Sequence, residues 1–182
     1  MKRRAFLVSA SLLALSACVT TPQTGASGPD TSGPIIYRIN VADMPRIQFR
    51  VLDSVNSLRA AAGTPAMTLN AALNAAAATH SRDMAVQNRP WHFGSDGSSP
   101  IDRAGRVGYR GTVLGENISE TYESELQTLA AWMQQPNTRE VITDPAARDL
   151  GVAFFQEENG KIWWTMITGD GSVAGPTNAP TG

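Results

Sequence analysis

Apolar side chains recur at helical spacing in a stretch that begins near Met44 and ends at Gly63-Thr64-Pro65. The apolar positions, three or four residues apart, are Ile47, Val51, Val55 and Leu58. This period predicts an amphipathic helix with one buried face, and the Gly-Thr-Pro segment ends it. Asn56 and Arg59 lie on or near this helix. Their side chains are predicted either to lie on its solvated face or to face a cleft.

A second helix is predicted from Asn70, a suitable N-cap, to about Asn88. Residues at i, i+3 and i+4 spacing form one of its faces: Leu73, Ala76, Ala77, His80 and Met84. A lone histidine on an apolar helical face is more often a hydrogen-bonded core residue than a ligand. We therefore expect the His80 side chain to be buried.

Two further helices are predicted downstream. The first is short, with Ser99 as its N-cap and Pro100 at its first position, and the glycines at 105 and 108 end it. The second covers 120–134 and ends before Pro136. Its expected buried stripe consists of Leu126, Leu129, Ala130 and Met133. Its expected solvent-facing side contains Glu123 and Glu125.

The C-terminal half of the chain contains the strand signals. Residues 151–157 and 161–167 read as two strands, and Glu158-Asn159-Gly160 between them is a hairpin signal. Residues 35–39 have strand composition and are predicted to form an edge strand. Helices that come first and a hairpin that comes last indicate an α+β fold, with a small antiparallel sheet between helical layers.

The N-terminus has a different pattern. Basic residues at 2–4 precede an apolar or small stretch at 5–14, which is followed by Leu15-Ser16-Ala17-Cys18. This order predicts a secretory signal peptide over 1–17, too short to span a bilayer as a mature helix. Its end resembles the bacterial lipobox, which implies lipidation of Cys18 and attachment to the membrane. The alternative is an ordinary signal peptide with an incidental cysteine.

The residue after Cys18 is Val19 rather than aspartate, which in enterobacterial-type sorting implies the outer membrane. Residues 18–34 are predicted to be the lipidated cysteine and a flexible tether, because the spacer lacks large apolar side chains. The folded domain is expected over 35–173, followed by a disordered tail at 174–182.

Composition excludes several classes of site and partner. Cys18 is the only cysteine, so the chain has no internal disulfide and no cysteine-rich metal site. Residues 1–17 contain three basic residues and no acid, so their removal changes the net charge from −1 to −4. A mildly acidic domain is not expected to bind nucleic acid.

Candidate chemistry lies in the central stretch, which contains His92 and Glu116. Imidazole and carboxylate are the groups that a metal site or an acid–base pair requires. Both residues lie in loop-like sequence, where functional groups are common. A serine nucleophile at Ser98 or Ser99, with His92 as its base, would also need an acid that orients the histidine, and the sequence does not indicate one. The surrounding Gly-Ser-Asp-Gly-Ser-Ser run is not a Gly-x-Ser-x-Gly elbow either.

Several motifs, in chain order, resemble the CAP superfamily. This superfamily comprises the SCP-like domain shared by cysteine-rich secretory proteins and plant pathogenesis-related proteins of class 1. The matching motifs are residues 69–73, 77–85, 92–100 with Arg103, 108–109, 115–118, 132–133, 150–153 and 164–165. The resemblance spans about 47–168, nearly all of the expected domain.

The resemblance implies an α-β-α sandwich with a surface cleft, in which two histidines and two acids bind zinc or calcium. His92 matches the first family histidine, and Glu116 matches the acid of the Gly-Glu-Asn-Ile motif. Thr138 replaces the second histidine, and Gln135 lies near the position of the further acid. Zinc requires about four ligands, so we predict weak or absent divalent cation binding and no cofactor. Secondary candidates for the cleft are His80, Asn117, Gln135 and Thr138.

Three functions are compatible with this sequence. The first is a non-enzymatic, lipid-anchored domain of the bacterial cell envelope, with a cleft around His92 and Glu116 that binds a small apolar ligand, a peptide or an envelope protein. The second is a protease-like hydrolase that uses the same two residues as base and orienter. The third is a structural envelope protein with a degenerate cleft. The catalytic residues and the oligomeric state stay open.

Overall fold

The computed structural model describes residues 37–172, and the predicted leader, Cys18 and tail lie outside this range. A single 3-10 turn, Val41–Asp43, precedes the first helix. The helices are α1 (Met44–Ala61), α2 (Ala71–Gln87), α3 (Pro100–Arg106), α4 (Glu125–Gln134) and α5 (Pro136–Thr143). The strands are β1 (Thr68–Leu69), β2 (Val113–Thr121), β3 (Asp149–Gln156) and β4 (Ile162–Gly169). No helix in 37–172 is long and apolar enough to cross a membrane.

The four strands form one sheet in the order β1-β3-β4-β2. The predicted hairpin is confirmed as β3 and β4, and β2 adds to β4 in antiparallel register. The sheet is mixed rather than purely antiparallel, because the two-residue β1 pairs with β3 in parallel. Sequence periodicity could not detect a strand of two residues, which has no pattern of its own.

The expected edge strand at 35–39 is not formed by its described part. Residues 37–40 are irregular, and residues 35 and 36 lie outside the described range. The backbone N–H of Ile39 donates to the Gln156 side chain at 3.0 Å instead of to a strand carbonyl. Gln156 also donates to the Tyr37 carbonyl at 2.6 Å, so one side chain anchors this segment where a ladder was predicted.

Helices cover both faces of the sheet, which confirms the α-β-α sandwich. One face contacts α2 and α3 through a small cluster: Leu73, Ala76, Ala77, Ala104, Ala153 and Ile167. The other face contacts α1, α4 and α5 through a larger core that includes Ile47, Val51, Val55, Leu129, Trp132, Ile142, Val152, Trp164 and Met166. Gly151 lets α2 approach β3 closely, because a side chain there would overlap the Leu73 backbone.

The position and orientation of α4 differ from the prediction of a helix over 120–134. Glu120 belongs to β2, and α4 begins after Ser124, which forms a capping box with Gln127. The buried face consists of Glu125, Thr128, Leu129 and Trp132. Leu126 and Ala130 are exposed, so two of the four predicted stripe positions were wrong, while Leu129 is buried and Met133 packs partly buried against the core.

Burial of Glu125 has a physical reason. The guanidinium of Arg50 on α1 contacts the Glu125 carboxylate, with Nε and Nη2 at 2.9 and 2.5 Å from Oε1. An acid expected to face solvent is therefore neutralised against the neighbouring helix. Helix α5 was also missed, because Pro136 both ends α4 and occupies the first position of α5.

Arg59 lies neither on a solvated face nor in a cleft. It is fully buried, and its Nε donates to the Pro65 carbonyl at 2.7 Å. Its two Nη atoms donate to the carbonyls of Ile142, Asp144 and Ala147 at 2.7 to 3.0 Å. Arg59 is thus a structural residue that holds the segment after α5 against the end of α1.

Candidate functional site

Strand β2 directs Glu116 and Asn117 to opposite faces of the sheet, because successive strand residues alternate. Glu116 is the cross-strand partner of Ile167, which belongs to the cluster under α2 and α3. Asn117 is the partner of Met166, which belongs to the core under α1, α4 and α5. Glu116 therefore lies in a strand, and the sequence-based expectation that it lies in a loop was wrong.

The Glu116 side chain is only 2% exposed and has a cation at one of its oxygens. Arg103 Nη2 donates to Glu116 Oε2 at 2.6 Å. His92 Nδ1 lies 2.9 Å from Glu116 Oε1. A carboxylate only accepts, so Nδ1 is the donor of that hydrogen bond. Both oxygens of this buried carboxylate are therefore engaged by protein groups.

Arg103 completes the cluster around Glu116 and His92, although the sequence-based prediction did not include it among the site residues. It projects from α3, whose start is fixed by a capping box between Ser99 and Asp102. Its Nη1 donates to the carbonyls of His92 and Ser98 at 3.1 and 2.9 Å. The sequence contained a signal, because Arg103 is one of the residues that match the family motifs. Arg103 joins the Glu116 carboxylate to the backbone of the loop that carries His92.

His80 is fully buried, as predicted from its apolar stripe, and it lies in the same cluster. Its Nε2 is 2.9 Å from the Trp91 carbonyl, which only accepts, so Nε2 is the donor. The same Nε2 is 3.7 Å from Glu116 Oε1, and His80 Nδ1 is buried without a partner. Burial lowers the pKa of His80, and the charge of Glu116 opposes part of that effect.

His92 lies on the loop between α2 and α3, and its side chain is 51% exposed. Asp83 of α2 fixes this loop by accepting from the Ser95 N–H and the Ser95 hydroxyl, both at 2.7 Å. A side chain at Gly94 would lie 2.5 Å from Ser98 Oγ, so the tight packing of the loop requires glycine there. Because Nδ1 donates to Glu116, the other ring nitrogen of neutral His92, Nε2, carries no proton and can accept a hydrogen bond. The ring is half exposed, so a ligand or water can reach this nitrogen.

The remaining candidates form a separate group. Asn117 Nδ2 donates to the Thr138 carbonyl at 2.8 Å. The Thr138 hydroxyl donates to the Trp132 carbonyl at 2.6 Å and contacts the Gln135 carbonyl at 3.3 Å. Within 37–172, no hydrogen bond or ion pair joins this group to Glu116. The structure thus brings His80, His92 and Glu116 together and leaves Asn117, Gln135 and Thr138 beside α4 and α5.

The order of these motifs and the sandwich that they build agree with one protein family. Residues 52–168 match the CAP family, described as the cysteine-rich secretory protein family. The chain belongs to this family. Its charged cluster is therefore built on a CAP fold, with the histidine loop between α2 and α3 and the Gly-Glu-Asn-Ile segment on β2.

A CAP relative is similar along most of the domain. The uncharacterized protein YkwD of Bacillus subtilis (strain 168) is 27% identical over 120 residues, which are 66% of this chain and 46% of that protein. The chain thus spans about half the length of the curated relative that it matches.

Solved structures share the CAP fold at low sequence identity. An outer surface protein from Borrelia burgdorferi has a TM-score of 0.64 at 12% identity, over 73% of this chain and 96% of its own. An extracellular protein containing an SCP domain, from Bacillus anthracis, has a TM-score of 0.64 at 19% identity, over 73% of this chain and 44% of its own. These likenesses show the fold alone.

Aromatic side chains flank His92 in this CAP domain. Trp91 Nε1 donates to Gln87 at 2.9 Å, and the Arg89 guanidinium lies 3.8 Å from the Trp91 ring centroid. Phe93 is 49% exposed and lies 5.6 Å from Trp91, centroid to centroid. The Trp91 ring is therefore fixed by a hydrogen bond and a cation, while Phe93 presents apolar surface beside His92.

Two cavities lie on either side of α3. The smaller, of about 200 Å³, reaches Glu116 and has a largely apolar wall: Ser99, Pro100, Ile101, Val113, Leu114 and Gly115. The larger, of about 370 Å³, lies between α2 and α3 and is lined in part by Arg103. The cavity at the predicted cleft and the larger one therefore share no lining residue.

The donor set does not fit the divalent cation that the family resemblance implies. Among residues 37–172 there is no group of three or more His, Cys, Asp or Glu that could hold a metal ion. The Arg103 guanidinium occupies Glu116 Oε2 at 2.6 Å, where a second cation would be repelled. Weak or absent metal binding stays a prediction for measurement.

Proposed function

We propose that this CAP domain is a non-enzymatic, lipid-anchored protein of the cell envelope, which binds a small apolar ligand, a peptide or a protein partner through the cleft around His92 and Glu116. The observation that carries the proposal is the engagement of both Glu116 oxygens, by Arg103 at 2.6 Å and His92 at 2.9 Å. A carboxylate held in this way is a poor metal ligand and a poor general base, because either role requires it to leave a buried cation.

The surface near this network suits binding better than catalysis. Ile101 lines the cavity beside Glu116 and is 66% exposed, and Phe93 is half exposed. The polar network beneath them is buried and positions the loop. Apolar surface around a few fixed polar groups is the usual composition of a ligand site.

The envelope location is part of the same proposal. Its support is the signal-peptide pattern that ends at Cys18, together with the extracellular and outer surface origins given for the two solved relatives. The lipid on Cys18 would hold the domain at the outer membrane, and the spacer that follows would let it reach a partner.

The second candidate function is a hydrolase, and one observation favours it. Glu116 orients His92 through Nδ1, so Nε2 of the half-exposed ring is placed as an acceptor, as in a base–orienter pair. Water would have to be the nucleophile, because Ser98 is 5% exposed and the Ser99 hydroxyl donates to the Asp102 carboxylate at 2.7 Å as part of the α3 cap. This candidate requires that His92→Ala abolish a measurable turnover.

The first experiment is calorimetric titration of the purified protein with zinc and then calcium, wild type beside His92→Ala. We expect no heat of binding at micromolar concentrations. Micromolar or tighter binding that is lost in His92→Ala would overturn the metal-free part of the proposal.

Apolar binding is tested by titration with the neutral dye N-phenyl-1-naphthylamine, followed by its fluorescence. We expect Ile101→Asn, at the Glu116 cavity, to weaken binding at least about fivefold, since it removes apolar contact area. Val41→Asn is the matched control, because Val41 is also exposed and lines neither of the two cavities beside α3. Equal affinities for wild type and Ile101→Asn would favour a structural protein with a degenerate cleft.

A further inference from the structure

The larger cavity beside α3 lies outside the proposed ligand cleft. We call it the α2–α3 groove, defined by Thr79, Arg82, Asp83 and Val86 of α2, Ser95, Asp96 and Ser98 of the loop, and Arg103, Arg106 and Val107 at α3. Its volume of about 370 Å³ is within the range of small-molecule sites. Although most of these residues are polar or charged, apolar atoms contribute most of the lining surface, and Val86 and Val107 are 78% and 38% exposed.

The two acids of the groove are used by the loop itself. The Asp83 carboxylate accepts from Ser95 and from Gln87 Nε2. Asp96 accepts from the Ser98 N–H at 2.9 Å and pairs with Arg106 at 2.5 Å. These carboxylates therefore hold the loop between α2 and α3 in place and offer few further acceptor positions to a ligand.

The three arginines retain donors that the protein does not use. Arg82 stacks over the Phe155 ring at 4.9 Å and has no hydrogen-bond acceptor within 37–172. Arg106 contacts Asp96 through Nη1 only. Arg103 is 4% exposed, its two Nη atoms are bound to protein, and its Nε is buried without a partner. An unpaired buried N–H is unfavourable, and the residue that carries this one lines the groove.

We infer that the α2–α3 groove is a binding site for a small oxyanion with an apolar body, such as an aryl or alkyl phosphate or carboxylate. The anionic oxygens accept from Arg82, Arg106 and Arg103 Nε, and the apolar body contacts Val86 and Val107. The Arg103 guanidinium is already fixed by Glu116 and two carbonyls, so it needs no ordering when the ligand binds. The inference does not depend on the proposed function, because neither His92 nor Ile101 lines this groove.

The test is titration of the purified full chain with phenyl phosphate, benzoate, inorganic phosphate and benzyl alcohol, in a buffer free of phosphate and sulfate. We expect phenyl phosphate and benzoate to bind more tightly than either inorganic phosphate or benzyl alcohol. Arg82→Gln and Arg106→Gln should each weaken phenyl phosphate binding by about tenfold or more, since each removes a hydrogen bond to a charged group. Arg110→Gln, an exposed arginine outside the groove, should leave the affinity unchanged.

A second measurement locates the ligand. Arg103 Nε is buried, so its N–H should be visible in a ¹H–¹⁵N spectrum, and phenyl phosphate should shift it in the wild type. Saturation that leaves this resonance unmoved would place the anion elsewhere and overturn the inference. Equal affinity of wild type, Arg82→Gln and Arg106→Gln would overturn it too, as would inorganic phosphate binding as tightly as phenyl phosphate.

Discussion

One buried arginine lies on each side of the sheet, and the hydrogen-bond donors of the two guanidinium groups are paired differently. Arg59, on the side of α1, α4 and α5, is fully buried and donates to four backbone carbonyls. Arg103, on the side of α2 and α3, pairs with Glu116 and donates to two carbonyls. Its Nε has no partner, although it too is buried.

This difference distinguishes a structural residue, Arg59, from a residue of the candidate site, Arg103. Every nitrogen of the Arg59 guanidinium is bound to a protein carbonyl, so the group cannot accept a ligand without losing a bond. Arg103 neutralises a carboxylate, lines a cavity and retains one donor. The face under α2 and α3 brings His80, Glu116 and Arg103 into one contacting cluster, while the larger apolar core lies on the opposite face.

The largest effect is expected for Glu116→Ala, which leaves the Arg103 cation buried without its carboxylate. We expect a loss of about 3–5 kcal/mol in the free energy of unfolding, measured by urea denaturation. The double variant Glu116→Ala with Arg103→Met should lose less than the single one, because it removes both charges. A loss below about 1 kcal/mol in Glu116→Ala would show that this pair is not the main support of its face.

The opposite face is probed by Arg59→Met, which keeps the apolar stem and removes all donors. The four carbonyls lose their partners, so we expect the free energy of unfolding to fall by about 2–4 kcal/mol. Binding of phenyl phosphate at the α2–α3 groove should be unchanged under conditions where the variant is folded. An altered affinity would contradict the distinction between the two arginines.

The pH dependence of stability tests His80. Burial lowers its pKa in the folded protein, below the value of 6.5 for the free side chain, so the unfolded chain binds the proton first as the pH falls. The free energy of unfolding should therefore decrease from pH 7 downwards, by at most about 1.4 kcal/mol per pH unit for one proton. His80→Gln should show a shallower decrease between pH 7 and 5 than wild type. Parallel curves would exclude His80 as the source.

The smallest effect is expected for His92→Ala. The side chain is half exposed, and Glu116 keeps its contact with Arg103, so the free energy of unfolding should fall by about 0.5–1.5 kcal/mol. Phe93→Ala, the neighbouring exposed side chain, is a matched control for loop packing. A loss in His92→Ala as large as in Glu116→Ala would mean that the imidazole, and not Arg103, supports the carboxylate.

The local sequence pattern was sufficient to predict those helices and strands whose own spacing of apolar residues, cap or turn marks them. The apolar stripes of α1 and α2, the Ser99 cap of α3 and the Asn-Gly hairpin were all predicted correctly. The pattern failed at α4, where Leu126 resembles a core residue but is exposed, and Glu125 resembles a surface residue but is buried. Arg50, on another helix 75 positions away, makes that exchange possible by neutralising the acid.

The candidate site likewise has a part that the sequence predicted and a part that only the tertiary structure decided. By itself, the sequence determined the order of the family motifs, and from it we predicted that His92 and Glu116 match the family's cleft while Thr138 and Gln135 replace its other ligands. Whether Glu116 was free depended on Arg103, which reaches it only when α3 packs beside β2. The tertiary structure decided that question, because a hydrogen bond between residues on different elements leaves no periodic trace in either one.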